Sequence, residues 1–487
     1  PTRSTPARWK HAEMAPRTVI VVGGGVSGLA AAWELTGGAA PRRDAPGVVV
    51  LEAADRLGGA LQTATFAGRA VDMGPDGFLA RRPEASDLCR ELGLGDDLVP
   101  VGARGASVWA RGKLRPLPEG QAMGIPTRFW PAARSGVLGL RGNLGLARDA
   151  LLPRPDVRGP IGDRSVGPLV ARKLGSRVVD RLVDPLLGGI YAGSVDDMSA
   201  AACFPPLLAA AGRRGSLMRA LRAEVPPPSD PDPDPDAPPL FYSLRGGMAS
   251  LVGTLADALR ARGVDIRLLA PAERLGREPS GWTVHTAGDV LAADGVVLAT
   301  PAPATAALLR PHDDEAAALL RAIDYASATV VTFRVEPADM PETLYGTGFL
   351  VPRRSPHKGR EPWVVTAGTF LDRKWPHLAR DGEVLLRASL GRIDDERPAD
   401  WSDDEAAGRA WEELGALLGV RGEPRQAAVV RHPHALPQYR VHHLLRTAGV
   451  EAAVARLGNL TVAGSAYHGV GIPACVGSGR AAARALS

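Results

Sequence analysis

The strongest constraint on this chain lies in residues 18–35. A β-rich apolar run, Thr18-Val19-Ile20-Val21-Val22, enters the turn Gly23-Gly24-Gly25-Val26-Ser27-Gly28 and leaves it in a helical pattern that runs to Leu35. Glycines spaced GxGxxG between a strand and a helix serve three needs: a tight turn, close approach of backbone to a pyrophosphate, and close helix–strand packing. The helix N-terminus adds oriented N–H donors for the negative charge. A second apolar run, Val48 to Leu51, ends at Glu52, 24 residues past Gly28 (52 − 28), where a carboxylate can accept from a ribose hydroxyl. Strand, helix and acid together predict an α/β, Rossmann-like βαβ unit with a bound dinucleotide. The plain alternative is a glycine-rich turn without a ligand.

Length and composition set limits on the rest. The 487 residues, 45% hydrophobic and 23% charged, suffice for two or three packed domains. A net charge of +5 is mild and dispersed, which suits an anionic ligand or membrane surface and argues against nucleic acid. Cys89, Cys203 and Cys475 lack metal or disulfide spacing, so no metal is expected and a reducing cytoplasm fits. No stretch reaches the ~18 apolar residues of a membrane span, and residues 1–13 read as an unstructured extension. The Pro/Asp alternation from Pro226 to Pro239 reads as an exposed loop whose deletion should leave folding and turnover nearly intact. Helical patterns, including Val166 to Leu174 and Arg177 to Leu187, mark a separate helical domain. Strand-like runs return at Gly263 to Leu269, Gly295 to Thr300 and Leu460 to Ala463, and a closing helix is expected from Gly477.

Two further segments point to a flavin. Arg56-Leu57-Gly58-Gly59 resembles the RxGG segment of flavin amine oxidases, phytoene desaturases and porphyrinogen oxidases. Val462-Ala463-Gly464-Ser465-Ala466, then Gly469-Val470-Gly471-Ile472-Pro473 and Gly477-Ser478-Gly479-Arg480, resembles the stretch that closes these proteins over the isoalloxazine. A glycine-rich backbone leading into a helix would stabilise charge on the reduced ring. No second GxGxxG for a nicotinamide is seen, so dioxygen or another acceptor is expected to take the electrons.

Six motifs, in order, resemble the protoporphyrinogen and coproporphyrinogen oxidases: Gly74-Pro75-Asp76-Gly77-Phe78-Leu79, Lys113-Leu114-Arg115-Pro116-Leu117-Pro118, Met123-Gly124-Ile125-Pro126, Pro185-Leu186-Leu187-Gly188-Gly189-Ile190-Tyr191-Ala192-Gly193, Leu244-Arg245-Gly246-Gly247-Met248 and Leu436-Pro437-Gln438-Tyr439. Of these, GPDGFL and PLLGGIYAG, with MGIPT, lean toward the coproporphyrinogen-oxidising branch of Gram-positive bacteria. The resemblance implies a two-dinucleotide-binding-domain flavoprotein with a Rossmann-like FAD-binding domain, a mixed-sheet substrate domain and a helical domain. Its expected segments are 15–80, 243–302 and 458–487 for FAD, 81–205 for a helical domain that could face a membrane, 206–242 as a connection with the Pro/Asp loop, and 303–457 for substrate.

Carried over residue by residue, the resemblance implies non-covalent FAD held by Gly23, Gly24, Gly25, Val26, Ser27 and Gly28, by Glu52, Ala53, Arg56, Gly59 and Ala60, by Gly74, Pro75, Asp76 and Gly77, by the Ala272 backbone, and by Val470, Gly471 and Ile472. The porphyrinogen would meet Leu186, Gly189, Thr347, Gly348, Leu350 and Ser389, with Arg387 and Arg392 neutralising propionates or else lying in solvent. Ala60 and His432 depart from the family, which often carries Lys or Trp at the first and Trp at the second. No protein acid or base is assigned, although His468 is a candidate proton carrier. The implied reaction takes coproporphyrinogen III to coproporphyrin III in haem biosynthesis, with electrons passing through FAD to dioxygen. The implied setting is cytoplasmic, with peripheral contact at the inner face of the membrane and a transient haem-pathway enzyme as candidate partner. The competing readings are a protoporphyrinogen oxidase, an amine oxidase, and a flavin-bound binding protein without turnover.

Overall fold

The computed structural model describes residues 17–152, 162–213, 215–225, 239–279, 281–355 and 361–486. The 1–13 extension and nearly all of the Pro/Asp loop lie outside the described residues.

A five-stranded parallel sheet carries the glycine turn. Thr18–Val22 sits between Gly47–Leu51 and Gly295–Leu298, and Asp265–Arg267 and Leu460–Val462 form the edges. A parallel sheet covered on both faces needs continuous apolar strands, and Val19, Ile20 and Val21 are each at most 1% exposed. One face packs on helices Val26–Leu35 and Ile472–Arg484. The other is covered by Ala302–Leu309, Asp314–Arg321 and His443–Leu457. Much of 303–324 and 443–457, assigned from sequence to the substrate domain, therefore builds the core of this sheet instead.

A second sheet has seven strands in the order Gln426–Pro437, Tyr325–Val335, Val384–Leu390, Val365–Phe370, Gly348–Leu350, Ser107–Ala110 and Lys113–Pro116. Its last two strands come from the stretch expected to be helical. Alternation divides its residues between two faces. Phe333, Phe349, Phe370 and Leu386 face back into a core closed by helix Asp403–Leu418. The opposite, front face looks toward the glycine turn and the helical lobe.

That lobe gathers Phe129–Arg134, Gly139–Leu151, Val166–Leu174, Pro205–Ala211 and Leu217–Glu224 around one apolar core. Buried Asp149 accepts from Ser216 Oγ at 2.7 Å and from the Leu217 N–H at 3.0 Å, tying two of its helices together. Where sequence predicts an ordinary helix, Val179–Gly188 winds as a π-helix around Pro185. Proline brings no N–H to the ladder and crowds the carbonyl one turn back, and the wider turn relieves both.

Candidate active site

The glycines of the first turn divide by role. A Cβ on Gly28 would collide with the Gly23 carbonyl, and one on Gly23 would lie 2.7 Å from the Ala299 carbonyl oxygen, so both permit close packing. Gly25 is different: a Cβ there meets nothing within 4 Å, and its φ of −70° suits any residue. Gly25 is also the N-cap of Val26–Leu35 and provides no capping side chain. Uncapped N–H groups facing open space fit a phosphate. Val26 and Ser27 supply the first turn of this helix, and Ser27 is buried against the closing helix, whose Gly479 has no room for a Cβ beside the Ser27 carbonyl.

Glu52 accepts from the Gly24 N–H at 2.7 Å and the Ala54 N–H at 2.8 Å, which holds the carboxylate at the mouth of the turn. Ala53 is exposed beside it, and Ala270 N donates to the Glu52 carbonyl at 2.9 Å, which brings the half-buried Ala272 to the same end of the sheet. Arg56 turns inward, donating to the Gly59 carbonyl at 2.8 Å and the Leu57 carbonyl at 3.3 Å, so it braces its own loop. That loop lies on the first turn, because a Cβ on Gly59 would be 3.7 Å from Gly25 Cα. Gly74 packs its backbone against the Ala60 carbonyl, and Pro75 is exposed beyond it.

Two members of the GPDGFL motif point away from any ligand. Asp76 binds Lys374 Nζ at 2.9 Å and accepts from Trp375 Nε1 at 3.1 Å. Burial works to raise its carboxyl, but Lys374 and Arg387 outweigh it and hold the group down at about 2. A Cβ on Gly77 would sit 2.6 Å from both Trp375 Cζ2 and the Tyr242 carbonyl oxygen. The Asp76 side chain is therefore committed to the protein, and Gly77 has no room for one.

Arg387 and Arg392, expected either to neutralise propionates or to lie in solvent, are both buried. Arg387 is 5% exposed and donates to the carbonyls of Asp72 and Gly74, the latter at 3.3 Å. It props the Gly74 segment from beneath. Arg392 is 7% exposed and donates to the Val351 carbonyl at 2.7 Å.

Strand register brings most of the remaining substrate residues together. Val330 lies opposite Ser389, Ser389 opposite Ala367, Ala367 opposite Leu350, and Thr369 opposite Gly348. Ala328, Val330, Leu350, Ala367, Thr369 and Ser389 are all half-buried, whereas Val331, Phe333, Phe349, Ala388 and Leu390 on the back face are buried. The result is a floor of small side chains. Gly189 stands at its lip, where a Cβ would be 3.8 Å from Leu350 Cδ2, and half-buried Leu186 lies one turn earlier. Thr347 does not join them: alternation puts it on the back face with Phe349, and its hydroxyl donates to the Gly105 carbonyl at 3.3 Å. Ala328, Val330, Ala367 and Thr369 were missed from sequence, where every-second-residue small side chains in 325–335 were the available signal.

The LPQY motif links the two halves of the site. Gln438 Nε2 donates to the Tyr191 carbonyl at 2.8 Å, holding the GGIYAG turn. The Tyr439 hydroxyl donates to the Ser465 carbonyl and accepts from the Gly469 N–H at 2.8 Å, holding the loop that leads to Val470, Gly471 and Ile472. Val470 packs on the helical lobe, Ile472 is buried, and Gly471 is another N-cap without a capping side chain. His468 lies outside this arrangement: it is exposed and paired with Glu451 at 2.5 Å, which, despite partial burial, raises its imidazole above the usual range. A solvent-facing ion pair is not a proton path into the cavity.

His443 is fully buried under Tyr439, rings stacked 3.9 Å apart, with Nε2 3.1 Å from the Tyr467 carbonyl oxygen. Burial pushes its imidazole down from 6.5 to about 4, against the opposing pull of that hydrogen bond. The unfolded chain therefore binds this proton first. The stabilisation is complete above pH 6.5 and is lost as pH falls toward 4, a loss of about 3 kcal/mol. His443→Phe keeps the stacked ring and should flatten the stability profile over that range. Denaturant titrations at several pH values check this, and a profile as steep as the parent's would show that another group is responsible.

With this geometry in hand, comparisons define the class. The family model for flavin containing amine oxidoreductases matches residues 26–487, and the chain belongs to that family. Among curated relatives, the coproporphyrinogen III oxidase of Propionibacterium freudenreichii subsp. freudenreichii is 36% identical over 95% of this chain and 89% of that protein. The coproporphyrinogen III oxidase of Bacillus subtilis (strain 168) is 31% identical over 95% and 96%. A solved structure from Exiguobacterium sp. 255-15, assigned as a protoporphyrinogen oxidase, superposes with a TM-score of 0.84 at 32% identity, covering 97% of this chain and 99% of that one. Among the described residues there is no cluster of metal-ligating side chains, and no helix is long and apolar enough to cross a membrane.

Proposed function

We propose that this chain oxidises coproporphyrinogen III to coproporphyrin III in haem biosynthesis, using non-covalently bound FAD. The observation that carries the reading is the floor of small, half-buried residues between the Gly74 wall and the Gly189 lip. A face of mostly small and aliphatic side chains suits a large flat macrocycle. When bound, the flavin supplies two-electron oxidation at a bridge carbon and passes the electrons to dioxygen, over three turnovers for six electrons. The chain's own task is position and exclusion of water. Leu350 and Ser389 support one face of the ring system, Gly189 leaves room for its edge, and Gln438 with Tyr439 keeps floor and flavin loop in register.

The adenosine end of FAD is expected at Gly25 and Glu52. Covalent attachment is disfavoured because burial pushes the thiol of Cys475, the cysteine nearest the flavin loop, up to about 11. Acid precipitation should release yellow FAD into the supernatant; flavin retained in the pellet would refute non-covalent binding. Incubation with each porphyrinogen, following porphyrin fluorescence and peroxide, tests the reaction. Faster turnover of protoporphyrinogen would favour the second reading, which the Exiguobacterium structure supports. Tight FAD without peroxide or porphyrin would favour a binding protein.

We also propose a cytoplasmic protein that makes peripheral contact with an anionic membrane through the helical lobe. Leu140, Leu144 and Leu151 lie along one stripe of Gly139–Leu151 and are 91%, 72% and 78% exposed, beside Trp130 at 64%. The exposed charges around them are Arg128, Arg134, Arg141 and Arg148. An apolar stripe edged by arginine suits lipid headgroups. Leu140→Ser with Leu144→Ser should weaken sedimentation with phosphatidylglycerol vesicles at least about tenfold, since each buried leucine contributes ~2 kcal/mol. Unchanged partitioning would remove this face from the contact.

A further inference from the structure

His432 lies on the front face of the substrate sheet, and the reaction proposed above, on which this inference rests, needs a proton acceptor. Ala328 lies opposite His432 and Val330 opposite Val430 and Ser389, so His432 shares the face that bears the floor. Its Nε2 is 2.8 Å from the Met73 carbonyl oxygen. A carbonyl can only accept, so the neutral ring carries its proton on Nε2 and keeps a lone pair at Nδ1. The ring also touches the flavin-side wall. A Cβ on Gly74 would be 3.3 Å from His432 Cε1, and the same position collides with the Ala60 carbonyl. His432, Gly74 and Ala60 thus meet beside the front face.

The charged groups on the elements packed there are committed elsewhere. Arg387 is held by the carbonyls of Asp72 and Gly74, and Asp76 by Lys374. The Asp72 carboxylate accepts from Thr63 Oγ1 at 2.5 Å and from the Met248 N–H at 2.8 Å. Neighbouring Arg431 pairs with Asp403 at 2.5 Å. His432 has one hydrogen bond and a half-buried ring, so among the described residues of this face it is the group placed to exchange a proton with both ligand and water.

We propose that His432 accepts the protons released as the macrocycle is oxidised. In each two-electron step a bridge C–H bond would break and its hydrogen, with the bonding pair, would leave as hydride to the bound flavin, so that the macrocycle becomes cationic. An N–H or C–H bond then breaks, its electrons forming the new double bond and its proton going to Nδ1. The imidazolium returns the proton to water before the next step.

His432→Gln keeps an N–H donor for the Met73 carbonyl but removes the base. In the holoenzyme, kcat for the porphyrinogen should fall about 100-fold, and the acidic limb of its pH profile should disappear, with FAD content and Tm unchanged. In His432→Ala, added imidazole should restore a substantial part of the lost rate. Nitrogen-15 NMR of the wild-type holoenzyme should show an Nε2–H tautomer whose Nδ1 resonance moves when porphyrin product binds, a readout independent of turnover. Wild-type kcat and an unchanged acidic limb in His432→Gln would overturn the proposal. So would a loss of rate accompanied by lost flavin and lowered Tm without imidazole rescue, because that marks a structural prop. Wild-type turnover of the same substrate is the control: its absence defeats the porphyrinogen reading itself, while its presence isolates a failure to His432.

Discussion

Gly25→Val is expected to abolish flavin binding while leaving the fold intact. The backbone at Gly25, φ −70° and ψ 173°, is extended and well suited to a β-branched residue, and nothing lies within 4 Å of the added Cβ. The valine would cost the protein little and would fill the space at the uncapped start of Val26–Leu35. Anything that uses those N–H groups is then excluded. The flavin Kd should rise at least about 100-fold, equivalent to about 2.7 kcal/mol. Gly28→Val makes the contrast, because its Cβ is driven into the Gly23 carbonyl between strand and helix. That variant should lose soluble, folded protein along with flavin. Flavin content, circular dichroism and the Tm of the apoprotein separate the two. A Gly25→Val protein that purifies yellow at normal occupancy would show that no pyrophosphate approaches this turn.

The dinucleotide unit was legible in the sequence because its constraints are local. Strand, glycines and helix occupy 18 consecutive residues, from Thr18 to Leu35, and Gly23 and Gly28 answer to neighbours in the same motif or strand pair. The substrate floor was less legible because register assembles it. Ser389, Ala367 and Leu350 come from three strands, and their alignment depends on pairings that no short window contains. Small residues such as Ala328 and Ala367 carry no chemical signal until they are seen side by side.

Arg387 shows a related dependence on distant partners. In Leu385-Leu386-Arg387-Ala388-Ser389-Leu390 the alternation sends Arg387 to the same face as Ser389, which reads as access to substrate. The carbonyls that capture it belong to Asp72 and Gly74, more than 300 residues earlier. Asp76 likewise found Lys374 and Trp375 across the fold. The hairpin Ser107–Ala110 with Lys113–Pro116 joined the substrate sheet because Gly348–Leu350 offered it a parallel edge. Polar side chains such as those of Asp76 and Arg387 thus act as struts, a role set by long-range partners.

Gly189→Val is expected to collapse kcat/KM for the porphyrinogen by about 100-fold or more while flavin content and Tm stay normal. Its neighbour makes the comparison sharp. Gly188 is buried, and a Cβ there would lie 2.8 Å from the Gly193 carbonyl oxygen, so this glycine is needed for packing. Gly189 is exposed, helical at φ −63° and ψ −35°, and its Cβ would find nothing closer than Leu350 Cδ2 at 3.8 Å. Neither positive φ nor close packing explains a glycine at 189, and valine there is conformationally tolerable. What valine does change is the lip of the floor: a branched side chain would project beside Leu350, where the macrocycle edge is proposed to enter. Gly188→Val should instead lower Tm by several degrees, since forcing a side chain against backbone typically costs 1–3 kcal/mol, and should reduce flavin occupancy and rate together. Steady-state kinetics, flavin spectra and melting curves on both variants check the pair. Normal kinetics in Gly189→Val would take residue 189 out of the site and move the substrate entrance elsewhere on the front face.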